Sequence, residues 1–479
     1  VTAHRNLSIA VVGAGMTGLT AALLLARDGH RVTVLERDPH PPTAAALAAW
    51  TDWARPGVNQ FRQPHLMLPR WTAQLRRELP DLVHALESAG AARVNLLHLQ
   101  ADRVTHGWQP GDERFDTVTA RRPVLEAVLA RLVDDEPGVT IRRGARATGL
   151  AVRDGARPPH VLGVGTTAGF VPADLVVDAA GRRTPVPGWV RQAAEHAPVE
   201  LREPCGFIYY SRHYQGRDRH LPTGAGPVLS HHPSLSVLTV PGEAATWCVV
   251  LITSSRDRAL RSLRETTAWE AVVRCSPVDT AWAGQGIPST RVEPIAGIED
   301  VRRSYLRDGR PLVTGLVAVG DAVAATNPSL GRGATIGVLQ AAALRDVLAS
   351  GGTDPDDVAL AFDGACAEQV NPWVEATLRF DRHRLGEIDA DVAGNHYVTD
   401  DPSWAMTTAL LRGATQDPVL ARASARIAGM VDLPAAVLGD PDTRRRLGPH
   451  RAAPRYASTD PSRADLLAAL AGANLAVST

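Results

Sequence analysis

The hydrophobic pattern changes character three times along the chain. The apolar run Ile9-Ala10-Val11-Val12 predicts a buried strand, and the turn Gly13-Ala14-Gly15-Met16-Thr17-Gly18 follows it. Helical apolar spacing from Leu19 to Leu25 comes next, then a second strand, Val32-Thr33-Val34-Leu35, which ends in Glu36. Further on, the pattern predicts a helix over Pro123 to Val133, strands near Val139–Arg142 and Ala147–Val152, and a strand ending at Asp178. Near Val186-Pro187-Gly188 the texture turns to short β-rich pieces separated by Gly and Pro turns. These are Gly206 to Arg212, Ser234 to Val240 and Thr246 to Thr253, and a helix from about Asp257 to Cys275 closes the stretch. Leu316 to Val319 predicts a buried strand running into a turn, and Ala334 to Leu348 a long apolar helix. From about Thr353 strands vanish and helical periodicity returns in Asp356–Gln369, Pro372–Ile388, Ala405–Leu411, Pro418–Met430 and Arg463–Leu470.

The first turn carries chemistry. In a strand, glycine turn and helix of this spacing, the first glycine permits the tight turn and the second lets backbone N–H groups approach a pyrophosphate. The third lets the helix pack closely on the strand with its positive N-terminus towards the phosphates. Glu36 follows about 20 residues on, where a carboxylate accepts hydrogen bonds from both hydroxyls of an adenosine ribose. An adenine dinucleotide is therefore expected at Gly13 to Gly18. Some 300 residues later Val319-Gly320-Asp321-Ala322 and Asn327-Pro328-Ser329-Leu330-Gly331-Arg332-Gly333 again place a strand end and a helix start together. A nicotinamide enzyme has no need of so distant a second contact. A flavin has, because its ribityl chain and ring are held as a permanent group.

With the middle block Ala173 to Thr184, these segments resemble the FAD-dependent monooxygenase superfamily built on the p-hydroxybenzoate hydroxylase fold, over about residues 7 to 350. That superfamily includes squalene-epoxidase-like, geranylgeranyl-reductase-like and halogenase branches. The resemblance implies an α/β chain with a discontinuous Rossmann-like FAD-binding domain (residues 1–75, 105–185 and 287–352). A mixed β-sheet substrate domain (76–104 and 186–286) is inserted into it, and a helical C-terminal region (353–479) follows. It implies that Gly13, Gly15, Gly18 and Glu36, with Met16, Thr17 and Arg37 beside them, hold the ADP half. Arg122 reaches the FAD, Asp178 and Gly181 belong to the middle block, and Gly320 and Asp321 lie at the ribityl-pyrophosphate junction. Pro328, Gly331, Arg332 and Gly333 lie beside the flavin ring. The implied activity is hydroxylation or epoxidation of an apolar small molecule by O₂ through a flavin C4a-hydroperoxide, in specialised metabolism. The FAD would be non-covalent and reduced by NAD(P)H directly or by a separate flavin reductase. Reduction of isoprenoid double bonds and a non-catalytic carrier role share the same motifs. One departure bears on the electron donor: single-component hydroxylases of this kind carry Asp-Gly where this chain has Ala180-Gly181.

Composition removes several classes. The 479 residues carry 51 acidic and 51 basic side chains, so no net field attracts nucleic acid or an anionic membrane. The chain has no lysine, which excludes Schiff-base chemistry and the halogenase branch's catalytic lysine; that branch's Trp-x-Trp-x-Ile-Pro signature is also missing. Cys205, Cys248, Cys275 and Cys366 are scattered without metal-ligand spacing and read as core thiols of a reducing compartment, and His231-His232 has no acidic or cysteine neighbour, so no metal site is expected. The apolar stretch Leu19 to Ala26 is too short to span a bilayer, and a cytoplasmic protein without stable membrane insertion is expected. The oligomeric state is not legible.

Candidate catalytic groups come from two segments. Arg55-Pro56-Gly57-Val58-Asn59-Gln60-Phe61-Arg62-Gln63-Pro64-His65 falls where flavin monooxygenases bring a loop towards the ring. There Arg62 would neutralise a reduced-flavin anion, and His65 would hydrogen-bond the ring or serve as acid or base. Alternation across Tyr209-Tyr210-Ser211-Arg212-His213-Tyr214 puts Tyr210, Arg212 and Tyr214 on one strand face and Tyr209, Ser211 and His213 on the other. One of these faces lines the cavity, and Tyr210 is the candidate taken forward. Trp50 and Trp53 read as helix-face packing, and Arg444-Arg445-Arg446 as a solvated face or tail.

Overall fold

Five parallel strands, β1 (Ser8–Val12), β2 (Arg31–Glu36), β3 (Val139–Arg143), β4 (Leu175–Asp178) and β5 (Leu316–Ala318), lie in the order β5-β4-β1-β2-β3. The continuous apolar runs of β1, β4 and β5 follow from burial on both faces, whereas β3 at the sheet edge alternates and has no fully buried residue. One face packs under α1 (Met16–Arg27), α2 (Arg122–Asp134) and α3 (Gly333–Ala349). The other packs on a three-stranded antiparallel sheet, Ala147–Val152, Val161–Thr166 and Gly169–Pro172. The computed structural model describes residues 6–58, 60–224, 226–351 and 354–477, with side chains except at 277–279 and 474–477; Asn59 and the expected boundary at 352–353 lie outside these residues.

A second sheet stands above the C-terminal ends of β1 and β4. Leu229–His231, Leu235–Pro241, Thr246–Ser254, Phe207–Gly216 and Gly286–Pro288 pair in that order, and Glu293–Ile295 also pairs with Phe207–Gly216. Every pairing is antiparallel. Residues 76–104 divide between the two units: Leu79, Leu82, Val83 and Leu86 join the core under α1 and α2, whereas Val94, Leu96 and Leu99 join the core of the second sheet. In place of one helix over 257–275 there is a 3₁₀ segment, Ala259–Arg264, and a helix, Thr266–Val273.

Four of the C-terminal helices follow one local rule. Pro355–Gln369, Pro402–Gly413, Pro418–Ala428 and Pro441–Arg451 each begin with proline, and the preceding Asp354, Asp401, Asp417 or Asp440 accepts a hydrogen bond from a backbone N–H of the first turn. Aspartate satisfies an otherwise unpaired donor, and proline sits where no N–H is needed. The arginines at 444–446 therefore lie on a helix. Two C-terminal helices matter for the site, α4 (Asn371–Val392) and α5 (Pro418–Ala428). Val370, Trp373, Val374, Ile388, Leu466 and Leu470 belong to the same core as the second sheet. Among the described residues no helix is long and apolar enough to cross a membrane.

Candidate functional site

The strand order reverses at β1, and the crevice beyond the carboxyl ends of β1, β4 and β5 is where open α/β sheets bind ligands. Gly13 leaves β1 at φ +106°, and a Cβ there would stand 2.7 Å from the Ala179 carbonyl oxygen of the β4 turn. A Cβ on Gly18 would collide with the Gly13 carbonyl oxygen, whereas around Gly15 nothing lies within 4 Å. Two of the three glycines thus serve close packing within the protein, and the middle one leaves room for a ligand. α1 starts behind Gly15 and α3 behind Arg332, neither with a side-chain cap. Gly15, Met16, Gly333 and Ala334 all line one cleft, so two helix N-termini with unpaired N–H groups converge on it.

That cleft has a volume of about 1340 Å³ including its mouth, and its lining is of two kinds. The polar part comprises Thr17, Arg122, Gly181, Arg182, Asp321 and the loop Thr326 to Gly333. Asp321 follows β5 and accepts no hydrogen bond among the described residues; burial raises its carboxyl above the usual range, against the pull of Arg182 and Arg122. Leu66, Leu68, Leu96, Val228, Leu229 and Leu238, all of one apolar cluster, make up the other part, and Leu66 and Leu68 adjoin Gly331 of the loop. Ala428, the last residue of α5, also reaches the cleft.

A buried ladder of charges runs from β2 to this cleft. Arg55 is 5% exposed, donates to Glu36, to Glu126 at 2.5 Å and to the Ala14 carbonyl at 2.8 Å, and lies 3.5 Å from Asp38. Glu126 also accepts from Arg122 at 2.7 Å, one helical turn away on α2, and the other end of Arg122 meets His65 Nε2 at 3.2 Å. His65 Nδ1 lies 2.8 Å from the Gln63 carbonyl. Burial and the Arg122 guanidinium push His65 down to about 3, so it stays neutral, donating from Nδ1 and accepting at Nε2. This corrects the expectation of an acid or base working near neutral pH. Glu36 already accepts from the Ala14 N–H, the Asp38 N–H and Arg55. A carboxylate offers about four acceptor sites. Space therefore remains for one ribose hydroxyl rather than two.

Of the residues singled out from sequence, Gly15, Met16, Thr17, His65, Arg122, Gly181, Asp321, Pro328, Gly331, Arg332 and Gly333 line the cleft. Arg62 does not: it donates to the Trp50 carbonyl and lies over the Trp50 ring at 5.5 Å, which ties it to the segment beneath the loop. Tyr210 faces away as well. The strand's other face turns inward, with Tyr209 donating to Asn327, Ser211 to Gln63 at 3.1 Å, and His213 against Trp50. Tyr210 and its neighbours Arg212 and Tyr214 pack outward, where Arg212 pairs with Glu270 at 2.6 Å and Tyr214 stacks on Trp247. Arg37 is exposed and held by the Gly57 carbonyl. Asp178 is fully buried and accepts from the Ala180 N–H at 3.0 Å and the Thr184 hydroxyl at 2.8 Å, so it shapes the β4 turn. Gly320 packs against Thr17, with its N–H on the Gln340 side-chain oxygen at 2.6 Å. Arg332 reaches out of the cleft to Thr377 of α4 at 2.8 Å, over the Trp373 ring.

Sequence reasoning assigned no role to Arg55, Arg182, Asn327 or Tyr209. Arg55 and Asn327 lay inside segments already marked, but these partners are 27 to 118 residues distant and no local spacing announces them.

Residues 8–115 match the family of FAD dependent oxidoreductases. Protein Rv3254 of Mycobacterium tuberculosis is 29% identical over 86% of this chain and 87% of its own length. Among solved structures, PqsL of Pseudomonas aeruginosa, described as a probable FAD-dependent monooxygenase, superposes with a TM-score of 0.59 at 17% identity, covering 80% of this chain and 97% of that one. The flavin-dependent brominase Bmp2 superposes with a TM-score of 0.60 at 15% identity, covering 92% and 100%. These likenesses establish the fold. An FAD fits the residues present: open space at Gly15, two uncapped helix N-termini for phosphate and the electron-rich edge of the ring, and an unpaired carboxylate at Asp321 for ribityl hydroxyls.

Proposed function

From the premise that this chain is an FAD-dependent oxidoreductase on the flavin-monooxygenase fold, we propose that it inserts one oxygen atom of O₂ into an apolar small molecule. The observation that carries the reading is that one cleft joins Gly15, Thr17, Asp321 and two helix starts with six leucine and valine side chains. Reduced FAD supplies the two electrons with which O₂ is split, one oxygen atom going to substrate and the other to water. The protein's part is placement and exclusion of water. Asp321 would accept from the ribityl chain and the N-terminus of α3 would stabilise negative charge on the reduced ring, while neutral His65 holds the Arg122 guanidinium at the cleft wall. Leu66, Leu68, Leu96, Val228, Leu229 and Leu238 offer a substrate no counter-ion and keep water from the reacting end.

The same fold serves a brominase, but a chain without lysine lacks the amine expected of that chemistry, which favours oxygen transfer. Ala180 in place of aspartate leaves two electron routes, NAD(P)H or a partner flavin reductase. The deciding experiment follows purified yellow protein under ¹⁸O₂ with apolar aromatic and isoprenoid probes, once with NAD(P)H and once with an added flavin reductase. One labelled oxygen per product supports the proposal. A product gaining two hydrogens and no label replaces it with double-bond reduction, and a protein that takes up no FAD replaces it with a carrier.

A further inference from the structure

Behind the flavin-side loop lies a group of ionisable side chains outside the ladder from Glu36 to His65. Asp381, in the middle of α4, is 5% exposed. Its Oδ1 accepts from the Ser329 hydroxyl at 3.3 Å, and its Oδ2 is buried without a hydrogen-bond partner. Ser329 Oγ accepts in turn from Asn327 Nδ2 at 3.0 Å, and Asn327 Oδ1 accepts the Tyr209 hydroxyl. The Asn327 N–H donates to Asp300 at 2.6 Å. Asn327 and Ser329 both line the cleft, so hydrogen bonds connect α4 to the loop from which α3 starts.

No cation pairs with Asp381 among the described residues. Arg332 pulls on Asp381 from a distance, but no ion pair forms: its Nη1 donates to Thr377, its guanidinium lies over the Trp373 ring, and its Nε is buried without a partner. The other ionisable groups in this cluster are Asp300 on the strand Glu299–Ser304, Cys205 and Tyr209 at the second sheet, and Arg182 in the β4 turn. Glu203 and Arg382 stand at the outer side. A buried carboxylate with one long hydrogen bond and no counter-ion favours its neutral form.

We propose that Asp381 is a positioning residue of the flavin site: its carboxyl group sets the Ser329–Asn327–Tyr209 chain and, through it, the loop carrying Pro328 to Gly333. The proposal rests on the FAD reading above. As the neutral acid, Asp381 leaves the loop without a charge behind it. Once ionised it accepts only, draws the Ser329 hydroxyl to itself, and places a negative charge behind the start of α3, opposing negative charge on the reduced ring. Burial and the neighbouring Asp300 push Asp381 up to about 8, whereas Asp300 and Asp178 lie at about 6 and are largely ionised by pH 7.5. Asp381 thus titrates above Asp300 and Asp178, and Asp381→Asn separates its transition from those of Asp321, which burial also raises, and Arg332, lowered to about 10.

The test uses the holoenzyme, with the visible flavin spectrum and FAD affinity followed from pH 6 to 9. Wild type should show a spectral transition near pH 8 with the FAD dissociation constant rising about fivefold across it. Asp381→Asn should bind FAD at every pH without the transition. Ser329→Ala, which keeps the acid but cuts the chain, should reduce the transition to less than half. Thermal stability gives a second reading. Folded Asp381 keeps its proton to about 8 while the unfolded side chain releases it near 3.8, so stability falls as pH rises between these values, and Asp381→Asn should abolish the part of the fall between pH 7 and 8. An unchanged transition in either variant overturns the proposal. If Asp381→Asn does not fold, Ser329→Ala decides alone. Wild-type protein that binds no FAD overturns the flavin reading itself, a result distinct from FAD bound without a transition.

Discussion

Arg55 is the cation on which three acidic side chains converge, Glu36, Glu126 and Asp38, all at the edge of the dinucleotide turn. Arg55→Met should destabilise the protein by about 3–5 kcal/mol, because it leaves buried carboxylates without their charge partner. Urea unfolding of the FAD-free protein measures this, and a loss under 1 kcal/mol would mean that Arg122 alone holds the cluster. Asp321 bears the opposite relation to its surroundings: it is unpaired within the protein and faces the cleft. Asp321→Ala should therefore cost little stability yet weaken FAD by about tenfold, the worth of one hydrogen bond to a charged group. It should also release more H₂O₂ per product, since a loosened ring admits water. Wild-type affinity together with wild-type coupling in this variant would remove Asp321 from the site.

Elements differ in how openly the sequence announces them. The β1–α1–β2 unit was legible because a change of hydrophobic period, three glycines and a terminal acid all point to one geometry. Its glycines should separate by experiment. Gly18→Ala should prevent normal folding because the added carbon meets the Gly13 carbonyl, whereas Gly15→Ala should fold with an unchanged melting temperature and bind FAD at least tenfold more weakly, as about 1.4 kcal/mol or more of phosphate contact is lost. Equal melting losses in both would argue against a ligand at Gly15. The inward face of Phe207–Gly216 was not legible. Six consecutive residues, Tyr209 to Tyr214, are buried, so alternation carries no sign of which side meets the cleft, and Tyr210 was chosen where Tyr209 makes the contact. The helix Pro441–Arg451 was also missed, since its arginine-rich sequence has little apolar periodicity. Its Asp-Pro start was the available signal. The ladder from Glu36 to His65 and the cluster at Asp381 depend on side chains far apart in sequence, which a reading of local pattern does not bring together.

At the scale of the whole molecule, the C-terminal region is a wall of the site. Ala428 reaches the cleft, and α5 is fastened by Arg422, which donates to both oxygens of Asp112 and to the Thr105 and Gly107 carbonyls. Arg422→Ala should leave FAD binding within about twofold of wild type, because no FAD-side residue is touched, while protease cleavage near α5 and peroxide leakage both rise. Unchanged cleavage would show that Leu420 and Ala421, both fully packed, hold α5 without the ion pair. The position of Leu466 and Leu470 in the core of the second sheet has a consequence for the order of events during synthesis. The dinucleotide turn and the start of α3 precede residue 350, whereas the core behind the leucine wall closes only once Leu466 and Leu470 have been made. A nascent chain can thus acquire its flavin-binding half while the substrate chamber still lacks part of its packing, and a chain halted before residue 466 would meet oxygen with the chamber unsealed.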